Sequence, residues 1–124
     1  MTHRRWFNTA VAVLAVAASA VAIAQAPAKP PVKVLVGFAP GGGADIIARL
    51  FADKMREPLG ATLIVENRTG AGGRIAAEAL KNAVPDGNTI LLTPIVIPVL
   101  APLIYSNLNY DPVKDFAPLS LVGF

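Results

Sequence analysis

Apolar positions follow two different periods along this chain. From Val32 to Phe38 they are nearly continuous and β-branched, the pattern of a strand covered on both faces in a parallel sheet. Beyond the turn Pro40-Gly41-Gly42-Gly43-Ala44-Asp45 the period changes. Ile47, Phe51 and Met55 recur every four residues with Ile46 and Leu50 alongside, while Arg49, Asp53 and Arg56 take other faces, which predicts an amphipathic helix. Pro58 and Gly60 mark its end. Thr62 to Glu66 reads as a second strand, and Thr69-Gly70-Ala71-Gly72-Gly73 then opens a second helix. Its apolar face is Ile75, Ala76, Ala79, Leu80 and Ala83, with Glu78 and Lys81 on the wet side. Pro85-Asp86-Gly87-Asn88 is a turn, and Thr89 to Thr93 a third strand. From Pro94 to Pro102 three prolines interrupt an apolar run and exclude a long regular helix. A polar loop from Asn107 to Pro112 follows, and a last strand is expected near Leu119.

Strand, helix, strand, helix, strand at these spacings implies an α/β fold with right-handed crossovers, a parallel sheet and helices packed on its faces. Ligands of such sheets lie beyond the carboxyl ends of the strands, where both glycine turns fall. A helix start leaves N–H groups without internal partners and carries a partial positive charge. The two turns are therefore expected to converge on one anion-sized spot and to grip a carboxylate. The chemistry on offer is binding rather than bond-making.

The beginning of the chain reads as an export signal. Arg4 and Arg5 are its charged start, Ala10 to Ile23 its apolar stretch, and Ala22-Ile23-Ala24 a small-x-small cleavage site. A membrane span needs roughly 20 apolar residues, more than this alanine-rich stretch offers. Arg4-Arg5-Trp6-Phe7 also fits the core of a twin-arginine signal, which leaves two export routes open. Residues 1–24 are thus expected to be removed on export, 25–31 to form an extended Ala/Pro/Lys tether, and 32–124 to fold. The closing run from Leu119 to Phe124 is apolar, so further chain is expected after it.

Removal of the leader changes the charge. The formal +3 comes from eleven basic and eight acidic residues, and Arg4 and Arg5 leave with the signal. What remains is nearly neutral, with signs alternating along the helices, so nucleic acid is not an expected partner. The chain has no cysteine, and its one histidine, His3, lies in the leader. Disulfides, thiolate metal sites, thiol nucleophiles and an imidazole base are all excluded from the mature residues. Neither a metal nor a cofactor is expected, and an enzyme is not.

The motifs narrow the ligand. A Walker A loop needs Gly-Lys-Ser/Thr where this chain has Gly43-Ala44-Asp45, and a dinucleotide fingerprint needs an acidic residue after the next strand, where only Asn88, Thr89 and apolar or Pro/Thr positions stand. No Gly-x-Ser-x-Gly elbow occurs, and Ser106 and Ser120 have no histidine partner. Asp45, in the first helical turn, suits the helix dipole. Arg68 and Arg74 flank the second turn, where a guanidinium could pair with a carboxylate or simply be solvated.

Four segments in order carry a family likeness: Val34-Leu35-Val36-Gly37-Phe38-Ala39-Pro40-Gly41-Gly42-Gly43-Ala44-Asp45-Ile46-Ile47-Ala48-Arg49, then Val65-Glu66-Asn67-Arg68-Thr69-Gly70-Ala71-Gly72-Gly73, Pro85-Asp86-Gly87, and Tyr110-Asp111-Pro112-Val113-Lys114-Asp115-Phe116. Together they closely resemble the solute receptors of tripartite tricarboxylate transporters, the Bug-type periplasmic binding proteins. The resemblance implies a lobe of a type II periplasmic-binding-protein-like fold, in a two-lobed receptor that captures a small carboxylate and delivers it to membrane permease subunits. It also implies a ligand-binding set of Phe38, Pro40, Gly41, Gly42, Gly43, Asp45, Thr69, Gly70, Ala71, Gly72, Gly73 and Thr93. Pro94-Ile95-Val96 departs from the small polar residues common there. The resemblance places residues 32–124 in the first part of lobe one, so the segment alone is expected to expose apolar edge and face and to dissolve poorly. The alternative from the enzyme class is a nucleotide- or phosphosugar-binding α/β protein whose catalytic residues lie beyond residue 124.

Overall fold

The computed structural model describes residues 29–123; the expected leader, the first four residues of the tether and Phe124 lie outside them. Three parallel strands, β1 (Val32–Val36), β2 (Leu63–Asn67) and β3 (Thr89–Leu92), pair in the order β2-β1-β3. The most apolar run takes the centre, where neighbours on both sides exclude water: Val34, Leu35 and Val36 are buried. In register, Val34 stands between Val65 and Ile90, and Leu35 between Glu66 and Leu91. Successive rows therefore point to opposite faces.

Helix α1 (Gly43–Leu59) covers the first face. Its Ala48 and Ala52 pack on Val34, Val36 and Leu63, flanked by Phe51, Met55, Val65, Ile90 and Leu92. This differs from the expected stripe, since Ile46 and Leu50 are each 60% exposed and Ile47 is half-exposed. The contact face is built on Ala44, Ala48 and Ala52, because small side chains let a helix lie close against a sheet, whereas the sequence pattern weighs the largest apolar residues. The helix also runs one residue past Pro58 before the Gly60 N–H donates to the Glu57 carbonyl. In the last turn a missing proline N–H removes a single bond, which costs little there.

On the second face, α2 (Arg74–Lys81) buries Ala76 and Ala77 and leaves Ile75 exposed. Ala77, Ile97 and Tyr110 form the core there, with Leu91, Val96, Leu108 and Phe116 around them. The proline-broken run forms a π-helical turn at Val96–Leu100 that leads into the single-turn α3 (Ala101–Ile104), in keeping with the expected absence of a long helix. Tyr110 closes this layer: its hydroxyl donates to the Ile97 carbonyl at 3.3 Å, its ring lies 5.4 Å from that of Phe116, and burial pushes its acidity down. The Asp111 carboxylate accepts the Val113 and Lys114 N–H groups, while Asp115 accepts the Asp111 N–H and pairs with Lys81 at 3.1 Å, which ties the loop to α2.

The strand expected near Leu119 does not form. Leu119 is 79% exposed and pairs with neither β2 nor β3, the edge strands of the sheet. A strand exists only as a paired element, so an apolar pattern without a neighbouring ladder stays irregular.

One close approach sets the geometry of the carboxyl end of the sheet. A Cβ added at Gly37 would lie 2.6 Å from the Gly73 Cα and 2.9 Å from its carbonyl oxygen, so the end of β1 and the start of α2 touch backbone to backbone. Gly37→Ala must push the two apart and is expected to cost about 1–3 kcal/mol, the usual penalty for overpacking. Gly43→Ala, whose Cβ would meet nothing within 4 Å, is expected to be neutral. Urea midpoints of the two variants check the contrast.

Candidate functional site

Because the strands are parallel and Val36 pairs with both Asn67 and Leu92, the segments that leave β1, β2 and β3 emerge at one edge. The residues expected to hold a ligand, Phe38 to Asp45, Thr69 to Gly73 and Thr93, follow those three strand ends. The Gly37–Gly73 contact joins the first two segments directly. Phe38 packs its ring beside Gly73, 3.3 Å from where a Cβ would stand.

In the first turn the Asp45 carboxylate is the hub. Only 2% of Asp45 is exposed. Its Oδ2 accepts the Gly41 N–H and the Arg49 Nε–H, each at 2.9 Å, and its Oδ1 accepts the Asn67 side-chain amide at 2.9 Å. The same Asn67 nitrogen donates to the Phe38 carbonyl at 3.0 Å, and Arg49 Nη2 donates to Asn67 Oδ1 at 3.2 Å. The Arg49 hydrogen bond above all, then Gly41 and Asn67, holds the Asp45 carboxyl far below the usual carboxylate range against the opposing effect of burial. Two expected contacts thus have partners inside the protein: the Asp45 carboxylate faces inward, and the Gly41 N–H is taken up by it. The Gly42 N–H donates to the Ala39 carbonyl at 3.2 Å, and α1 starts without a side-chain cap. Among the described residues no acceptor meets the N–H groups of Gly43, Ala44 and Asp45, and these form the positive end of the helix.

The second turn is tighter. Ala71–Gly73 makes a single 3₁₀ turn closed by the Gly73 N–H on the Gly70 carbonyl at 2.9 Å. Gly72 (φ +66°) and Gly73 (φ +96°) sit in the left-handed region that only glycine enters freely, and Ala71 shares it at φ +48°. Thr69 to Gly72 are exposed, Gly73 is buried, and α2 also begins without a side-chain cap. Thr93 is half-buried with its hydroxyl turned to the Pro94 carbonyl.

The two flanking arginines have protein partners. Arg68, just beyond the end of β2, pairs with Glu66 of that strand, and its N–H extends the ladder to the Val36 carbonyl at 2.8 Å. Arg74 donates to the Ala71 carbonyl at 2.8 Å while its guanidinium lies 3.7 Å above the Tyr105 ring, a cation–π contact that braces the second turn. Sequence reasoning missed Asn67, Gly37 and Tyr105 as parts of this region. The one signal for Asn67 was a polar amide closing an apolar strand just before a glycine turn. Among the described residues no group of three His, Cys, Asp or Glu could hold a metal, and no helix is long and apolar enough to cross a membrane.

Residues 47–123 match the family described as tripartite tricarboxylate transporter family receptor. Over 94 residues the chain is 36% identical to Protein BugT of Bordetella pertussis, covering 75% of this chain and 29% of that protein. Among solved structures it is similar to the periplasmic binding protein BugD, with 43% identity and a TM-score of 0.69 over 75% of this chain and 30% of the other. It is similar as well to MatC from Rhodopseudomonas palustris with bound malate, with 40% identity and a TM-score of 0.68 over 71% and 30%. The chain therefore spans less than a third of the length of these relatives.

The depressed acidity of Asp45 links the first turn to pH. A carboxyl whose folded pKa lies below its unfolded value, ordinarily about 3.9, contributes stability that is fully present above that value and is withdrawn as the pH falls through it toward the folded one. Below pH 4 the wild-type protein is expected to lose stability more steeply than Asp45→Asn, and the two slopes should run parallel above pH 6. Urea denaturation across pH 2.5–7 checks this.

Proposed function

The chain belongs to the tripartite tricarboxylate transporter receptor family, and we propose that it supplies part of a periplasmic solute receptor that captures a small carboxylate without transforming it. The observation that carries this reading is the uncapped start of α1, whose Gly43, Ala44 and Asp45 N–H groups meet no acceptor among the described residues, at the sheet edge where the second glycine turn also emerges. Exposed N–H groups at a helix start favour an anion through both hydrogen bonding and the helix dipole.

The carboxylate is received by the N–H groups of Gly43, Ala44 and Asp45 together with the exposed second turn, Thr69 to Gly72. Phe38 and Pro40 shape the wall, and Gly41, Gly42 and Gly73 set the course of the backbone. Thr93 stands at the third strand end as a further contact. Asp45 contributes its N–H to the ligand and its side chain to the loop. Malate bound to MatC is a ligand of the expected chemistry, a small dicarboxylate. Main-chain amides recognise a carboxylate common to many solutes, so the rest of the receptor chooses among them. Membrane permease subunits of the transporter take the solute onward, and no cofactor takes part. The nucleotide-binding enzyme alternative has no support at these turns, where the lysine of a phosphate loop is missing.

A receptor carrying the full length of the family is expected to melt at higher temperature with malate, adipate or citrate and to be unmoved by ATP or NAD. A ligand at a hundred times its Kd stabilises by about 2.7 kcal/mol, well within reach of a thermal-shift panel. Gly43→Val, at a position with open space and an ordinary backbone conformation, is expected to abolish the carboxylate shift while leaving the unliganded melting temperature in place. A response to ATP or NAD with none to carboxylates would favour the enzyme reading instead.

A further inference from the structure

We propose that Asn67 is a positioning residue of the carboxylate site, an amide bracket that holds the first glycine turn in its receiving shape. This rests on the receptor reading above. The β1–β2 ladder makes its last main-chain bond from the Arg68 N–H to the Val36 carbonyl. Two residues further along β1 the next carbonyl on that side belongs to Phe38, and no β2 N–H reaches it. The Asn67 side chain takes over, donating at 3.0 Å to Phe38 and at 2.9 Å to Asp45 Oδ1 from the same nitrogen.

Asp45 in turn accepts the Gly41 N–H. The turn from Phe38 to Gly41 is thus gripped at its first carbonyl and at its last N–H by two side chains bonded to each other, and Arg49 closes the ring by donating to both. An isolated glycine-rich turn has the greatest conformational freedom of any chain segment. Fixing it before the ligand arrives removes an ordering cost from binding. The bracket also couples the two turns, because Asn67 is the last residue of the strand that feeds the second.

The charged groups around the bracket are Asp45 and Arg49 from α1, Glu66 from β2 and Arg68 just beyond its end, the last two paired with each other. Asn67→Asp keeps the shape but replaces the donor with a carboxylate facing Asp45. Like charges at that distance cannot both ionise easily, so the pair shares a proton at lower pH and restores a donor there.

The test is a titration of the full-length receptor with malate from pH 5.5 to 8.5, scored as the ratio of variant to wild-type affinity at each pH so that the titration of malate cancels. Asn67→Asp is expected to bind at least tenfold more weakly at pH 8.5 and to close most of that gap by pH 5.5, while Asn67→Leu stays weak throughout. A ratio near one, or one that does not change with pH, overturns the bracket. Failure of the wild type to bind any of malate, adipate or citrate overturns the receptor reading and the bracket with it. Should Asn67→Asp not fold at pH 8.5, amide exchange in the unliganded wild type decides: Gly41 is expected to exchange at least tenfold more slowly than Gly43, and equal rates overturn the bracket.

Discussion

No side-chain atom can stand between Gly37 and Gly73, and the arrangement of the carboxyl end of the sheet follows from that exclusion. The contact is main chain on main chain, with an added Cβ brought to 2.6 Å, closer than any real side chain tolerates. It fixes where β1 ends relative to where α2 begins. Main-chain contacts deform far less than side-chain contacts, which choose among rotamers. The two glycine turns flank this contact on the surface at the carboxyl edge of the sheet.

Charge is spent differently on the two sides of that surface. Toward the protein, Asp45, Arg49 and Asn67 saturate one another, and Arg68 and Arg74 are occupied by Glu66, Ala71 and Tyr105. Toward the open side stand neutral amides carrying only the partial charge of a helix start. In the proposed role, an anion at this surface meets no full opposite charge and forms no ion pair that must be broken on release.

The order of strands and helices was legible because their periods differ and glycine or proline punctuates every change. The run from Val32 to Phe38 could be recognised as a strand covered on both faces from its nearly continuous apolar character, and the two glycine turns fell at strand ends as their spacing implied. The contact face of α1 was not legible: Ile46, Ile47 and Leu50 outweigh Ala48 and Ala52 in any hydrophobic count, yet closeness to the sheet selects the alanines. Leu119 to Gly123 carry a strand pattern yet pair with no strand, and pairing is a matter of topology that no local window contains. Asn67 was invisible for a related reason, since its worth lies in two acceptors, Phe38 and Asp45, set 29 and 22 positions away.

The acidic side chains with clear shifts, Asp45, Asp86, Asp111 and Asp115, are all moved toward stronger acidity by N–H or guanidinium donors, and the single histidine, His3, lies outside the described residues. The Asp45 carboxylate that holds the first turn therefore keeps its charge when its surroundings turn mildly acidic. In the proposed receptor, the charge of the solute itself then varies against a turn whose Asp45 does not. On that proposal, a metabolite that has picked up a proton meets the same amides with a weaker acceptor and is held there less tightly.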